Sequence, residues 1–185
     1  MKVTLKTGLV FAGIWIAMKL LFFTTGIAGE NIIPSVMLNI LCLLLAISVG
    51  LYRQKKIDTE PGNALRDIKN GMTAGVPYAF IVSIFLYFYY NNIHPEFNQH
   101  QIAEAEMGIQ KMLDDPQGLK DVKASNAEFE VMTKEEIYEQ LIQGPRSFYK
   151  PSSTMTVSML AMLLLGTMNS IFVTVVYRKI VFKHT

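Results

Sequence analysis

One charged residue interrupts the first apolar stretch of this sequence. Lys19 lies inside a run covering about residues 7–27 that is otherwise free of formal charge. An ammonium at the centre of a membrane helix costs about 2.5–3.5 kcal/mol on insertion scales, so it must find a partner or reach the interface. Asn39, in the next apolar run, is the expected partner. Counted from the short connection at 28–31, the two residues fall at similar depth, about 12–14 Å from that end. Trp15, Phe22 and Phe23 lie one helical turn away and offer rings to the same cation. A Lys19–Asn39 pair has the chemistry to hold a small substrate, an ion or an anionic lipid group. The same pair also serves as a plain hydrogen bond between two helices, and Asn169 with Ser170 reads as polar glue of that kind.

The only other cluster with ligand character is His94, Glu96, His100 and Glu104, in which His100 and Glu104 are one helical turn apart. Two such residues on one face suit zinc, but no third ligand follows at a committed spacing. The lone cysteine, Cys42, excludes an intrachain disulfide and any multi-cysteine metal site. There is no GxSxG, HExxH or phosphate-binding glycine loop, and no apolar run holds an Asp or Glu. These patterns disfavour an enzyme. No catalytic residue, cofactor, metal site or nucleic-acid partner is expected.

The elements that must position these residues are membrane helices. Hydrophobic residues make up 51% of the 185, alongside 17% charged, a combination that requires segregation into apolar and polar stretches. Four windows, at about 7–27, 32–52, 71–91 and 154–177, each hold about 20 residues, enough for roughly 30 Å of helix. Backbone groups in lipid must be satisfied internally, and the windows lack the alternation of barrel strands, so all four are helices. A cleaved signal peptide fits the first window less well, because it is long and Lys19 interrupts it.

Lys and Arg set the expected orientation. The amino-terminal segment, the connection between windows two and three, and the carboxyl tail together hold ten basic residues against three acidic ones. The 28–31 connection holds none and includes Glu30, and residues 92–153 hold six basic against eleven acidic. Both termini are therefore expected in the cytoplasm. Tyr87, Tyr89 and Tyr90 at one end, with Tyr52 and Tyr177 at the other, read as interfacial belts.

The expected division is 1–91 with three spans, 92–153 as an extramembrane helical insertion, and 154–185 with the fourth span and tail. Within the insertion, Ile102, Ala105, Ile109, Met112 and Leu113 follow helical spacing over about 96–113 until Asp114-Asp115-Pro116. Thr133 and Glu136 form a capping box for a second helix over about 134–143, striped by Ile137, Leu141 and Ile142 and stopped by Gly144-Pro145. Between them, a short helix around Leu119 and Val122 followed by an extended piece is expected. The two stripes must dock on each other, on the membrane or on a partner, and Ile102, Ile109, Ile137 and Leu141 are the candidate partner-binding residues.

Small residues mark where helices approach. Gly71 and Gly75 form a GxxxG, Gly166, Ser170 and Thr174 line one stripe of the fourth span, and Gly8 with Ala12 one stripe of the first. Pro77 lies one turn into the third span.

Lys6-Thr7-Gly8-Leu9, a glycine-bearing first span, a basic stretch before Gly71, and Ile93-His94-Pro95-Glu96-Phe97 leading into an acidic helical segment give the chain a familiar order. It resembles a "domain of unknown function" family of four-span bacterial inner-membrane proteins common in the Bacteroidota. The resemblance covers nearly the whole chain but transfers no activity. It implies an inner membrane, with the 92–153 insertion in the periplasm.

The expected protein is thus an all-α four-helix transmembrane bundle with a periplasmic helical insertion between spans three and four. The expected role is a non-enzymatic accessory or scaffold subunit that presents this insertion to another membrane protein or to a second copy of itself, in contact with membrane lipid. The alternative is a small transporter or lipid-linked translocator using Lys19 and Asn39.

Overall fold

The computed structural model describes residues 3–26, 32–58 and 63–181. The expectations for Lys2, Lys183 and the 28–31 connection with Glu30 lie outside these residues. The described chain is helical throughout, with no strand. Helix α1 is Val3–Thr25, α2 Ile33–Ile57 and α3 Ala64–Phe88, followed by a π turn at Tyr89–Ile93. Then come α4 (Pro95–Asp114), α5 (Pro116–Ser125), α6 (Ala127–Glu130), α7 (Lys134–Phe148) and α8 (Pro151–Val176), with a second π turn at Tyr177–Val181.

Four of these helices are long and apolar enough to cross a membrane: Val3–Thr25, Ile33–Ile57, Ala64–Ile93 and Pro151–Ile180. The chain is a membrane protein on that ground. All four start or end beyond the expected windows. Two extra turns of α3 precede Gly71, because Leu65, Ile68 and the charged residues between them continue the helical pattern past the apolar run.

The structure divides into two compact units, Met1–Phe85 with Met155–Thr185, and Leu86–Thr154. In the first, α1 and α8 each pack against both α2 and α3 through small residues. A Cβ on Gly8 would collide with the Ala74 carbonyl oxygen, and one on Gly50 would stand 3.2 Å from Ala74 Cβ and 3.6 Å from Thr4 Cα. On the other side, a Cβ on Gly71 would lie 2.9 Å from Ser170 Oγ, and one on Gly75 3.9 Å from Gly166 Cα. These glycines allow backbones to meet where larger residues would hold them apart. Trp15, Leu43, Ile47, Leu51, Tyr78 and Val82 fill the space between, all at most 2% exposed. The opposite faces, including Leu164, Met168 and Phe172 of α8, stay open as a lipid-facing surface would.

The second unit begins at Leu86 rather than at residue 92. The π turn inserts an extra residue at the end of α3, and Tyr89 and Tyr90 become buried instead of forming an interfacial belt. Tyr90 stacks on Phe97 at 5.4 Å, and Tyr89 meets His94 edge-on at 6.0 Å. Pro95 opens α4, where a missing amide is harmless. Asp115 ends α4 and caps α5 by accepting from the Gly118 amide at 3.0 Å. The expected extended piece is instead the end of α5 and the single turn of α6, started by Asn126, which accepts from the Glu128 amide.

Helix α7 carries the expected capping box: Thr133 Oγ1 accepts from the Glu136 amide, and the Glu136 carboxylate accepts from the Thr133 amide. It does not stop at Gly144-Pro145. Proline removes one amide bond, yet the chain closes again through the Tyr149 amide on the Pro145 carbonyl, and the helix runs to Phe148.

Candidate functional site

Lys19 occupies the inner face of α1, on the stripe Gly8, Ala12, Trp15, Lys19, and only 8% of it is exposed. Trp15 fixes this face. Its indole N–H donates to the Ser35 carbonyl of α2 at 3.2 Å, and its ring stands edge-on to Phe85 of α3 at 6.0 Å. The lysine is therefore held within the bundle, away from the lipid-facing side.

Asn39 is engaged elsewhere. Its carboxamide oxygen accepts from the Tyr78 hydroxyl at 2.6 Å, and its nitrogen donates to Met162 Sδ at 3.5 Å. The Tyr78 hydroxyl also lies 3.1 Å from the Asn39 carbonyl. Asn39 thus ties α2 to α3 and α8, and the expected Lys19–Asn39 pairing gives way to this arrangement. The reason is register. Thr4 lies against Gly50 and Trp15 reaches Ser35, and both contacts, carried along antiparallel helices, set Lys19 nearer the level of Ser35 than of Asn39.

A second polar centre, absent from the sequence reading, lies at the other end of this unit. Asp67, in the first turns of α3, is 3% exposed. Its carboxylate meets Lys55 Nζ of α2 at 2.9 Å and Arg178 of the second π turn at 3.0 Å. Three helices are clamped by one carboxylate. Nearby, Asp58 binds Arg66 at 3.5 Å and Gln54 at 3.0 Å. Tyr177 donates to the Ser48 carbonyl and packs edge-on to Tyr52. The hydroxyls of Ser170 and Thr174, on the α8 stripe leading to Arg178, are fully buried.

A family profile described as "Protein of unknown function (DUF4199)" matches residues 6–179. The chain belongs to the DUF4199 family. No curated protein and no solved structure matches it. The family assignment covers both units and all four apolar helices, and carries no activity with it.

In the second unit of this DUF4199 chain, α4 and α7 dock on each other. Leu113, Ile137 and Ile142 are at most 2% exposed and form the joint. Glu106 accepts from Arg146 at 2.8 Å near one end, and Lys134 pairs with Asp114 near the other. Glu106 raises the Arg146 guanidinium above its usual value through that hydrogen bond, while the Thr133 amide and hydroxyl hold the Glu136 carboxyl below the usual carboxylate range. Of the four candidate partner-binding residues, Ile137 is used up by the internal joint and has no surface left to offer. Ile102, Ile109 and Leu141 are half-buried along the same seam.

The histidine–carboxylate cluster separates. His94 packs among the rings of Tyr89 and Phe97, whereas His100 stands 3.9 Å from Glu104 on an exposed face, and Glu96 is exposed. Among the described residues, no three His, Cys, Asp or Glu side chains converge as a metal site would require. An open cleft of about 390 Å³ lies between α4 and α7, lined by Gln110, Asp114, Lys134, Glu135, Tyr138 and Glu139 around Leu113.

Proposed function

We propose that this protein is a non-enzymatic accessory or scaffold subunit of a bacterial inner membrane. Both termini would face the cytoplasm, and the α4–α7 unit would be presented in the periplasm to a partner protein. The observation that carries this reading is the closure of α4 on α7. An isolated helix the length of α7 is marginal in water, but Leu113, Ile137 and Ile142, with two flanking ion pairs, give it a joint with α4. A self-supporting element leaves its outer faces free for recognition. Those faces are acidic, with Glu96, Glu104, Glu128, Glu130, Glu135 and Glu139 all exposed. Within the apolar helices, Asn39 is already engaged with Tyr78 and Met162, which suits a static anchor.

The test compares the full chain with a variant lacking residues 102–143. Under mild solubilisation, the full chain should carry a stoichiometric partner that the deletion loses, while the bundle stays folded. Retention of the same partner by the deleted chain refutes the scaffold reading.

One observation favours the alternative of a small transporter or lipid-linked translocator: a lysine buried inside the bundle is costly and calls for a use. Lys19→Ala should then abolish flux through reconstituted protein without unfolding it. An unchanged flux, or none in the native chain, removes that alternative.

A further inference from the structure

Besides Arg66 and Arg178, which are exposed but pair with Asp58 and Asp67, five basic side chains stand exposed toward the end of the first unit where Asp67 sits: Lys6 of α1, Arg53 and Lys56 of α2, Lys69 of α3 and Lys179 of the second π turn. Every apolar helix contributes at least one. Lys55, Asp67 and Arg178 lock α2, α3 and α8 together there, and the Thr4–Gly50 contact brings the start of α1 toward the same end, with Lys6 about two turns further in than Lys56. The two acidic residues described at this end do not cancel them. Asp67 is buried under two cations, and Asp58 is half-buried and bound to Arg66 and Gln54.

Apolar side chains interleave with the charges. Ile57 is 60% exposed, Leu65 75% and Ile180 73%. The Lys56 ammonium lies 4.8 Å above the Tyr52 ring, which holds it at the edge of the apolar zone. Exposed apolar residues alternating with cations at one helical end match the boundary between acyl chains and headgroups. There apolar side chains enter hydrocarbon while long basic side chains reach the phosphates.

We propose that this collar is a docking surface for anionic phospholipid headgroups, with Lys6, Arg53, Lys56, Lys69 and Lys179 as the phosphate-facing residues and the Asp67 clamp holding them in place. The partner is a lipid rather than free phosphate, because a soluble anion would gain nothing from Ile57, Leu65 and Ile180. A basic residue at an anionic membrane surface is worth about fivefold in association. Five acting on the few lipids that touch them should give a preference of several-fold for an anionic over a zwitterionic headgroup. This inference does not depend on the scaffold reading.

The test is electron paramagnetic resonance on the full chain in bilayers of mixed phosphatidylglycerol and phosphatidylcholine, with each lipid spin-labelled in turn. The native chain should select phosphatidylglycerol several-fold. Replacing all five residues by Gln should bring the two lipids close to parity. If that variant does not fold, the native chain in rising chloride supplies the answer: shortening the Debye length from about 10 Å to about 3 Å should erase the selectivity. No selectivity in the native chain, or selectivity untouched by both the substitutions and the salt, overturns the proposal. So does inorganic phosphate displacing the labelled lipid better than chloride at equal ionic strength, which would mark a free-phosphate site.

Discussion

Asp67→Asn should loosen the membrane bundle more than any other single polar change in it. The substitution keeps the size of the side chain but leaves Lys55 and Arg178 facing each other without the carboxylate between them. Removing one partner of a buried ion pair costs about 3–5 kcal/mol, mostly through the charge left behind. Here the Lys55 and Arg178 side chains are 17% and 40% exposed, so both retain access to water and the loss should sit at the low end, about 3 kcal/mol. For a chain of this length each kcal/mol moves the unfolding midpoint by about 2–4 °C, which gives a drop of about 6–12 °C.

The protein carries its own reporter for this measurement. Cys42 is the only cysteine, 4% exposed, and about 20 Å along α2 from Lys55, so a thiol-reactive dye reads bundle opening remotely from the substitution. A companion variant, Lys55→Met with Asp67→Leu and Arg178→Met, removes every charge of the clamp and should recover most of the loss. A shift under about 2 °C in Asp67→Asn would refute the clamp as a stabilising centre. Failure of the triple variant to recover would show that the charges themselves, rather than the unpaired remainder, hold the helices.

Four further outcomes are expected. Gly8→Val should lower the same Cys42 midpoint, because its side chain must displace the Ala74 carbonyl, an overpacking cost of about 1–3 kcal/mol; an unchanged midpoint would mean α1 does not approach α3 this closely. Ile137→Asp should abolish amide-exchange protection in α4 and α7 while Cys42 stays protected, since it places a charge in the joint of the second unit only; protection that survives would remove the α4–α7 docking. Reporter fusions after residue 117 and at the carboxyl end should report opposite compartments, and the same compartment for both would end the four-span reading. The depressed Glu136 carboxyl contributes to α7 above its unfolded value, so protection of the first turn should fall as pH drops through the ordinary carboxylate range and below it, and Thr133→Ala should flatten that dependence.

The architecture was legible because its signals are long or local. Four apolar windows gave four helices, since lipid leaves the backbone no other solution. Thr133 and Glu136 announced α7 because a capping box is satisfied within four residues. Gly144-Pro145 misled for a related reason. A proline costs one amide bond, and the end of a helix is decided by whether the chain can close again afterwards, which the Tyr149 amide does. The π turn at Tyr89–Ile93 left no mark, because one inserted residue changes which face Tyr89 and Tyr90 occupy without changing their hydrophobicity.

Polar partners were harder to read, because pairing across helices depends on register, and register is set by contacts far along the chain. Lys19 and Asn39 match in depth when counted from their connection. The match fails because Thr4–Gly50 and Trp15–Ser35 place the two helices about one to two turns away from that count. Asn39 is left to Tyr78, a residue whose hydroxyl is indistinguishable in sequence from any other interfacial tyrosine. Asp67 shows the converse. It stands outside the apolar window and among basic residues, so it reads as one charge in a solvated loop. Only when α3 is extended back to Ala64 does it come under Lys55 and Arg178, residues 12 positions before and 111 positions after it. An acid set between Arg66 and Lys69 at the edge of a membrane helix is the one local sign that could have pointed there. Positive residues at that end need no partner in water, but a carboxylate drawn into the bundle does.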